Sequence, residues 1–242
     1  MEKIRAVIFD CDGVVIDSGA DMADAMNATL GHFGMKQLSE KEIVSFVGNG
    51  ARMLVMRAVK SSIGFAGMNA SDIPPERMKQ ILDWYTEYYY AHAVERTVLY
   101  PGYAELLEKM MFHGYHMAVV SNKPGEITRK ILRYFDIEDY YDAVIGPEQL
   151  AHIKPDPEGL ALAVSIMNQN LRYAAGGRPF VSITPSETLM VGDSYVDIQA
   201  GHNFKSHTCA VLGGLGDKEK LAAEHADITV QYAGELRAKL AL

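Results

Sequence analysis

Six short apolar runs punctuate the chain: "AVIF" (6–9), "MAVVS" (117–121), "DAVIG" (142–146), "TLMVGD" (188–193), "TCAVL" (208–212) and "DITV" (227–230). Continuous apolar runs of this length point to strands buried on both faces. Segments with helical spacing lie between them, at 103–113, 126–134, 158–167, 196–203 and 217–225. Strand and helix in alternation predict an α/β fold, a doubly wound, Rossmann-like parallel sheet.

One region breaks the alternation. From Ser18 to about Val98 the patterns are helical only. "DMADAMNATLGHFG" carries apolar residues at helical spacing and stops at Gly34. "SEKEIVSFVG" opens with Ser39 and Glu42 at the spacing of a capping box. "PPERMKQILDWYTEYYYAHAV" starts on prolines and runs long, so its Tyr88–Tyr90 triplet is expected to serve helix surface and core. The chain therefore divides into an α/β core, residues 1–17 and 99–242, and an inserted all-helical domain, residues 18–98. "VLYPG" (98–102) is the return linker, and 168–187 reads as a long irregular connection.

The totals exclude several classes. The 242 residues suffice for a core plus a smaller domain. A net charge of -8 argues against non-specific nucleic-acid binding, although a local cationic pocket can still take an anion. The two cysteines, Cys11 and Cys209, build no disulfide framework. No apolar stretch approaches the ~18 residues of a membrane span. "MEKIRAVIFD" is too short in its apolar part for a signal peptide. The expectation is a soluble cytoplasmic protein, monomer or homodimer, with no nucleic-acid or membrane partner.

In a doubly wound sheet, ligands bind beyond the carboxyl ends of the strands. The first strand ends in Asp10 and Asp12; the second in Ser121, Asn122 and Lys123. The loop after the third holds "KPDP" with Lys154, and the fourth ends in "GDSYVD" with Asp193 and Asp197. Asp10 and Asp12, two apart on an extended backbone, point to one side. One can be a nucleophile and the other an acid/base partner. Cys11 between them points the other way, as a packing residue. Gly192 is expected to let the backbone turn into Asp193. Asp193 and Asp197, four apart at a helix start, share a face, and such hard oxygen ligands suit Mg²⁺. Ser121 offers a hydroxyl and a backbone N–H, and Lys154 a point charge; both suit a phosphoryl group. Each cluster alone has an ordinary reading as turn, cap or surface charge. Four of them at successive strand ends are harder to explain that way.

With these four motifs, "DCDGVVID", "SNK", "KPDP" and "GDSYVD", the chain resembles the haloacid dehalogenase superfamily of phosphatases over nearly its whole length. The helical insertion resembles that superfamily's cap domain. The resemblance implies that Asp10 forms an aspartyl-phosphate, and that Asp12 protonates the leaving alkoxide and then activates water. It implies that Ser121, with Asn122, and Lys154 hold the phosphoryl group. Asp10, the backbone carbonyl of Asp12, and Asp193 would ligate Mg²⁺, and Asp197 would support the metal or orient Lys154. "DSGADMADAMNATL", "VGNGARMLVMRA" and "LYPGYAELLEKM" are similar to stretches of phosphoglycolate phosphatases. The implied substrate is a small phosphorylated metabolite, 2-phosphoglycolate first. Arg52, just after "GNGA", is a candidate for its carboxylate. The alternatives are a β-phosphoglucomutase-like phosphoryl mutase and a non-enzymatic phospho-acceptor switch. The mutases usually carry a histidine just after the first motif, where this chain has "SGADMADAM".

Overall fold

The computed structural model describes residues 3–64 and 73–242. Six parallel strands form the sheet: β1 (Ala6–Phe9), β4 (His116–Val120), β5 (Ala143–Ile145), β6 (Thr188–Gly192), β7 (His207–Val211) and β8 (Ile228–Val230). Their spatial order is β5-β4-β1-β6-β7-β8, so the chain builds outward on one side of β1 and then returns to the other. β1 sits at that reversal, where crossovers leave in opposite directions and open a crevice at the strand ends. The registers Phe9↔Val119 and Phe9↔Val191 bring the ends of β4, β1 and β6 level.

Alternation along β1 sorts its side chains between two layers. Val7 and Phe9 face one core with Met117, Val119, Leu189 and Val191. α5 (Tyr103–Phe112) and α6 (Gly125–Tyr134) add Leu106, Leu107, Met110, Ile127 and Ile131 to that core. Ala6 and Ile8 face the other layer, closed by Leu160, Ala163, Val164 and Met167 of α7 (Glu158–Ala175). α8 (Tyr195–Phe204), α9 (Lys218–Ala223) and α10 (Leu236–Lys239) complete the flanks.

α7 corrects one expectation. The helix continues through "NQNLRYAA" and ends at Gly176, whose φ is +58°. Beyond Met167 its residues are exposed or half-buried, so apolar periodicity fades while good helix formers carry the helix on. Only the remainder of 168–187 is irregular. Asn168 fixes it by bonding both ways to the Ile183 backbone, and Arg5, just before β1, donates to the Val181 and Ser182 carbonyls. This places the stretch beside the amino end of β1, away from the crevice.

Among the described residues, four helices intervene between β1 and α5: α1 (Gly19–His32), α2 (Glu40–Val44), α3 (Ala51–Gly64) and α4 (Pro75–His92). The part of the expected insertion at 65–72 lies outside the described residues. α1 buries Met22, Met26 and Leu30 at successive turns. Ser39 caps α2 by accepting from the Glu42 N–H, but the Glu42 carboxylate turns to the Ser61 hydroxyl instead of closing the box. The insertion is not purely helical at its ends. β2 (Ile16–Asp17) pairs antiparallel with β3 (Val98–Leu99), so the chain leaves and returns through one two-stranded ribbon. Buried Asp21 of α1 fastens the return by accepting from the Arg96 and Thr97 N–H groups and the Thr97 hydroxyl, at 2.7–2.9 Å. No helix among the described residues is long and apolar enough to cross a membrane.

Candidate active site

The level ends of β1, β4 and β6 collect the polar clusters into one crevice. Asp10 follows β1, and its N–H donates to the Val191 carbonyl of β6 at 2.9 Å. Lys154, from the loop before α7, reaches beneath it. Its Nζ lies 2.9 Å from Asp10 Oδ1, 2.7 Å from Asp197 Oδ1 and 2.7 Å from the Val120 carbonyl. The ammonium is thus surrounded by protein acceptors and grips Asp10 from below. Asp197, in the first turn of α8, also accepts from the Ser194 N–H and hydroxyl, so one carboxylate caps the helix and pairs with the lysine.

Asp193 completes a cluster in which oxygens of Asp10, Asp193 and Asp197 lie within 4.8 Å of one another. All three residues are buried, and the Lys154 ammonium pairs with two of them, Asp10 and Asp197. Burial pushes Asp10 up to about 6 despite the opposing pull of Lys154. Burial, then the Asp197 and Asp10 charges, drives Asp193 well above the carboxylate range. Burial works against the Lys154 ammonium too, but Asp10 and Asp197 outweigh it and hold its pKa high. Excess negative charge among hard oxygen donors is what a divalent cation neutralises, so the donor set fits Mg²⁺.

Glycines clear the space around Asp193. Gly13 has φ +80°, and a Cβ there would sit 1.8 Å from Asp193 Oδ2. A Cβ on Gly214 or Gly216 would come within 2.3 Å of Asp193 Cβ or its carbonyl. The 213–216 loop also donates the Leu215 and Gly216 N–H groups to Asp193 Oδ2, at 2.6 and 2.9 Å. Gly192 corrects another expectation. Its φ is not positive; it is needed because a Cβ there would lie 2.1 Å from Asp197 Cβ.

Asp12 shares the cavity with Asp10 but not its partners. Its carboxylate accepts from the Ser18 hydroxyl at 2.5 Å and from Lys123 Nζ at 2.9 and 3.2 Å, and is not part of the converging acids. Ser121 also lines the cavity, but its N–H, expected to be available, is taken by the Ile145 carbonyl at 3.0 Å. Its Oγ accepts from the Lys123 N–H at 3.3 Å, which leaves the hydroxyl hydrogen for a ligand. The Asn122 side chain is a clamp. It bonds the Lys154 N–H and carbonyl at 3.1 Å and donates to the Gly48 carbonyl at 3.2 Å. Cys11 is buried in the core, as expected.

Above the acids, the helical segment closes the cavity with Met22, Val47, Leu54, Tyr85 and Tyr89. The turn 46–50 is pinned there. Asn49 Nδ2 donates to the Tyr195 hydroxyl at 3.0 Å, while Arg57 donates to Asn49 Oδ1 and the Phe46 carbonyl. Arg52 departs from expectation: it is exposed at the start of α3 and lines a neighbouring groove with Asp83 and Glu87, not this cavity. Among the described residues the cation lining the cavity is Lys123, which its motif "SNK" contained without any sign of its partners. Tyr89, read as plain helix surface and core, is a cavity wall whose hydroxyl lies 2.5 Å from Lys123 Nζ.

Residues 7–211 match the family model of haloacid dehalogenase-like hydrolases. A phosphoglycolate phosphatase of Psychrobacter arcticus is 33% identical over 88% of this chain and 85% of its own length. That of Escherichia coli is 29% identical over 100% of this chain and 94% of its own. A crystal structure from Haemophilus somnus, described as a predicted phosphoglycolate phosphatase, superposes with a TM-score of 0.83 at 27% identity, with both chains covered in full.

Proposed function

Because the chain belongs to the haloacid dehalogenase-like hydrolases and is a phosphoglycolate phosphatase-like phosphatase, we propose that it hydrolyses 2-phosphoglycolate to glycolate and phosphate through an aspartyl-phosphate on Asp10. The observation that carries this reading is the separation of two carboxylates in one cavity. Asp10 is held over Lys154 within the acid cluster, and Asp12 is held apart by Lys123 and Ser18. Two tasks need two environments.

In the first half-reaction an Asp10 oxygen attacks phosphorus as the ester P–O bond breaks, and protonated Asp12 gives its proton to the departing alkoxide. In the second, Asp12 takes a proton from water as that water attacks phosphorus, releasing phosphate and restoring Asp10. The Ser121 hydroxyl donates to a phosphoryl oxygen. Lys154 keeps Asp10 ionised and aimed. Mg²⁺ on Asp10, Asp193 and the Asp12 carbonyl, with Asp197 in support, would neutralise the phosphoryl oxygens. The segment 18–98 acts as the cap that shields the reaction from water. The apolar wall of Met22, Val47 and Leu54 offers no hydrogen-bond partners to the several hydroxyls of a sugar, which favours hydrolysis of a short ester over the mutase alternative.

The test is phosphate release from a panel of phosphate esters with Mg²⁺, repeated on Asp10→Asn. The amide should cut kcat by roughly three decades or more without unfolding the chain. Wild-type turnover in this variant would refute the mechanism, and another ester hydrolysed far better would refute the substrate.

A further inference from the structure

Three parts of the chain meet at Asp12. Ser18 comes from the turn into α1, Lys123 from the loop just beyond β4, and Tyr89 from the last turn of α4. Lys123 is the link between the last two. It is buried, its Nζ is bidentate to Asp12, and the Tyr89 hydroxyl lies against the same ammonium. An ammonium has three hydrogens, and these partners account for them. Its position is fixed from the backbone as well, through the Lys123 N–H to Ser121 Oγ.

A buried lysine is seldom left without a task, and among the described residues nothing else in the cavity bonds Asp12 from the β4 side. Lys154 cannot do so, being occupied by Asp10, Asp197 and the Val120 carbonyl. Tyr89, in turn, is fully buried among core side chains and moves only with α4.

We propose that Lys123 is a positioning residue for Asp12, held by Tyr89, so that proton delivery to the leaving group depends on the seating of α4. This rests on the reading of Asp12 as the acid/base. It follows that losing Lys123 harms esters in proportion to their need for a proton. An alkoxide leaving group needs one; p-nitrophenolate hardly does.

The experiment compares kcat/KM on 2-phosphoglycolate and glycerol 2-phosphate with that on p-nitrophenyl phosphate, for wild type, Lys123→Met, Tyr89→Phe and Asp12→Asn. Lys123→Met should lose roughly tenfold or more on the alkyl esters beyond its loss on the aryl ester. Tyr89→Phe should shift the same ratio by about fivefold, and KM should change little in either. Equal losses on both ester types, or none, would make Lys123 structural and overturn the proposal. Should Lys123→Met fail to fold, Tyr89→Phe alone decides by the same ratio. If Asp12→Asn showed no selectivity, the acid/base reading would fall and this proposal with it. Selectivity in Asp12→Asn but in neither other variant would overturn the proposal alone.

Discussion

Asp10 and Asp193 carry a cost in the absence of a cation, and that cost has a pH signature. Asp10 titrates near 6 in the folded chain, above its ordinary value, and Asp193 is shifted the same way. A carboxyl raised by folding contributes stability below its unfolded pKa and loses it as pH climbs through the folded pKa. Protein treated with EDTA should therefore lose stability as pH climbs from about 4 through about 6 on account of Asp10, and go on losing it above that on account of Asp193. Adding Mg²⁺ should raise Tm more at pH 8 than at pH 5.5, where protons compete for the same oxygens. Thermal melts with and without Mg²⁺ at the two pH values check this; an equal gain at both would count against the acid cluster as the binding site. The aspartates were legible in the sequence because strand ends are, and a sheet brings strand ends together. The partners of Asp12 were not. Lys123 stands 111 residues from it and Tyr89 another 34 from Lys123, and no local pattern encodes such pairings. Arg52 misled for the converse reason: nearness in sequence to a glycine turn says nothing about which side of α3 faces the cavity.

Among the elements, the turn between α2 and α3 bears most directly on the site. Asn49 joins Arg57 of α3 to Tyr195 of α8 through two hydrogen bonds, and the turn carries Gly48 and Gly50 into the cavity wall. Removing the pair should cost about 1 kcal/mol per bond. Asn49→Ala is expected to raise KM roughly three- to tenfold, with a smaller fall in kcat and no preference between alkyl and aryl esters. Steady-state kinetics on both ester types checks it; an unchanged KM would mean that the turn is held elsewhere. Element boundaries were read best where burial is uniform, as in β1 and β6, whose residues are buried without exception. They were read worst where a helix outlasts its buried face, as α7 does. The two-residue strands β2 and β3 are too short to show any period.

At the scale of the molecule, the sheet holds a chain-connectivity problem at its centre. Ala6 must pair with His116, about 110 residues along the chain, before the crevice can exist. The ribbon of Asp17 with Val98 short-circuits most of that distance. Once it has formed, the intervening helices drop out of the loop, and only roughly thirty residues remain to be closed. The entropy saved is about 1 kcal/mol, several-fold in the rate of joining β1 to β4. The ribbon thus belongs to the order of assembly as much as to the finished site. Val98 is 56% exposed, so shortening its side chain sacrifices little packing while loosening the strand. Val98→Gly should slow refolding several-fold and leave unfolding nearly unchanged, the pattern of a contact already made at the rate-limiting barrier. Stopped-flow refolding and unfolding, read by far-UV circular dichroism, give the two rates; a faster unfolding limb with unaltered refolding would place the ribbon late. A pairing of two residues with two would then govern how quickly a chain of 242 finds its active site.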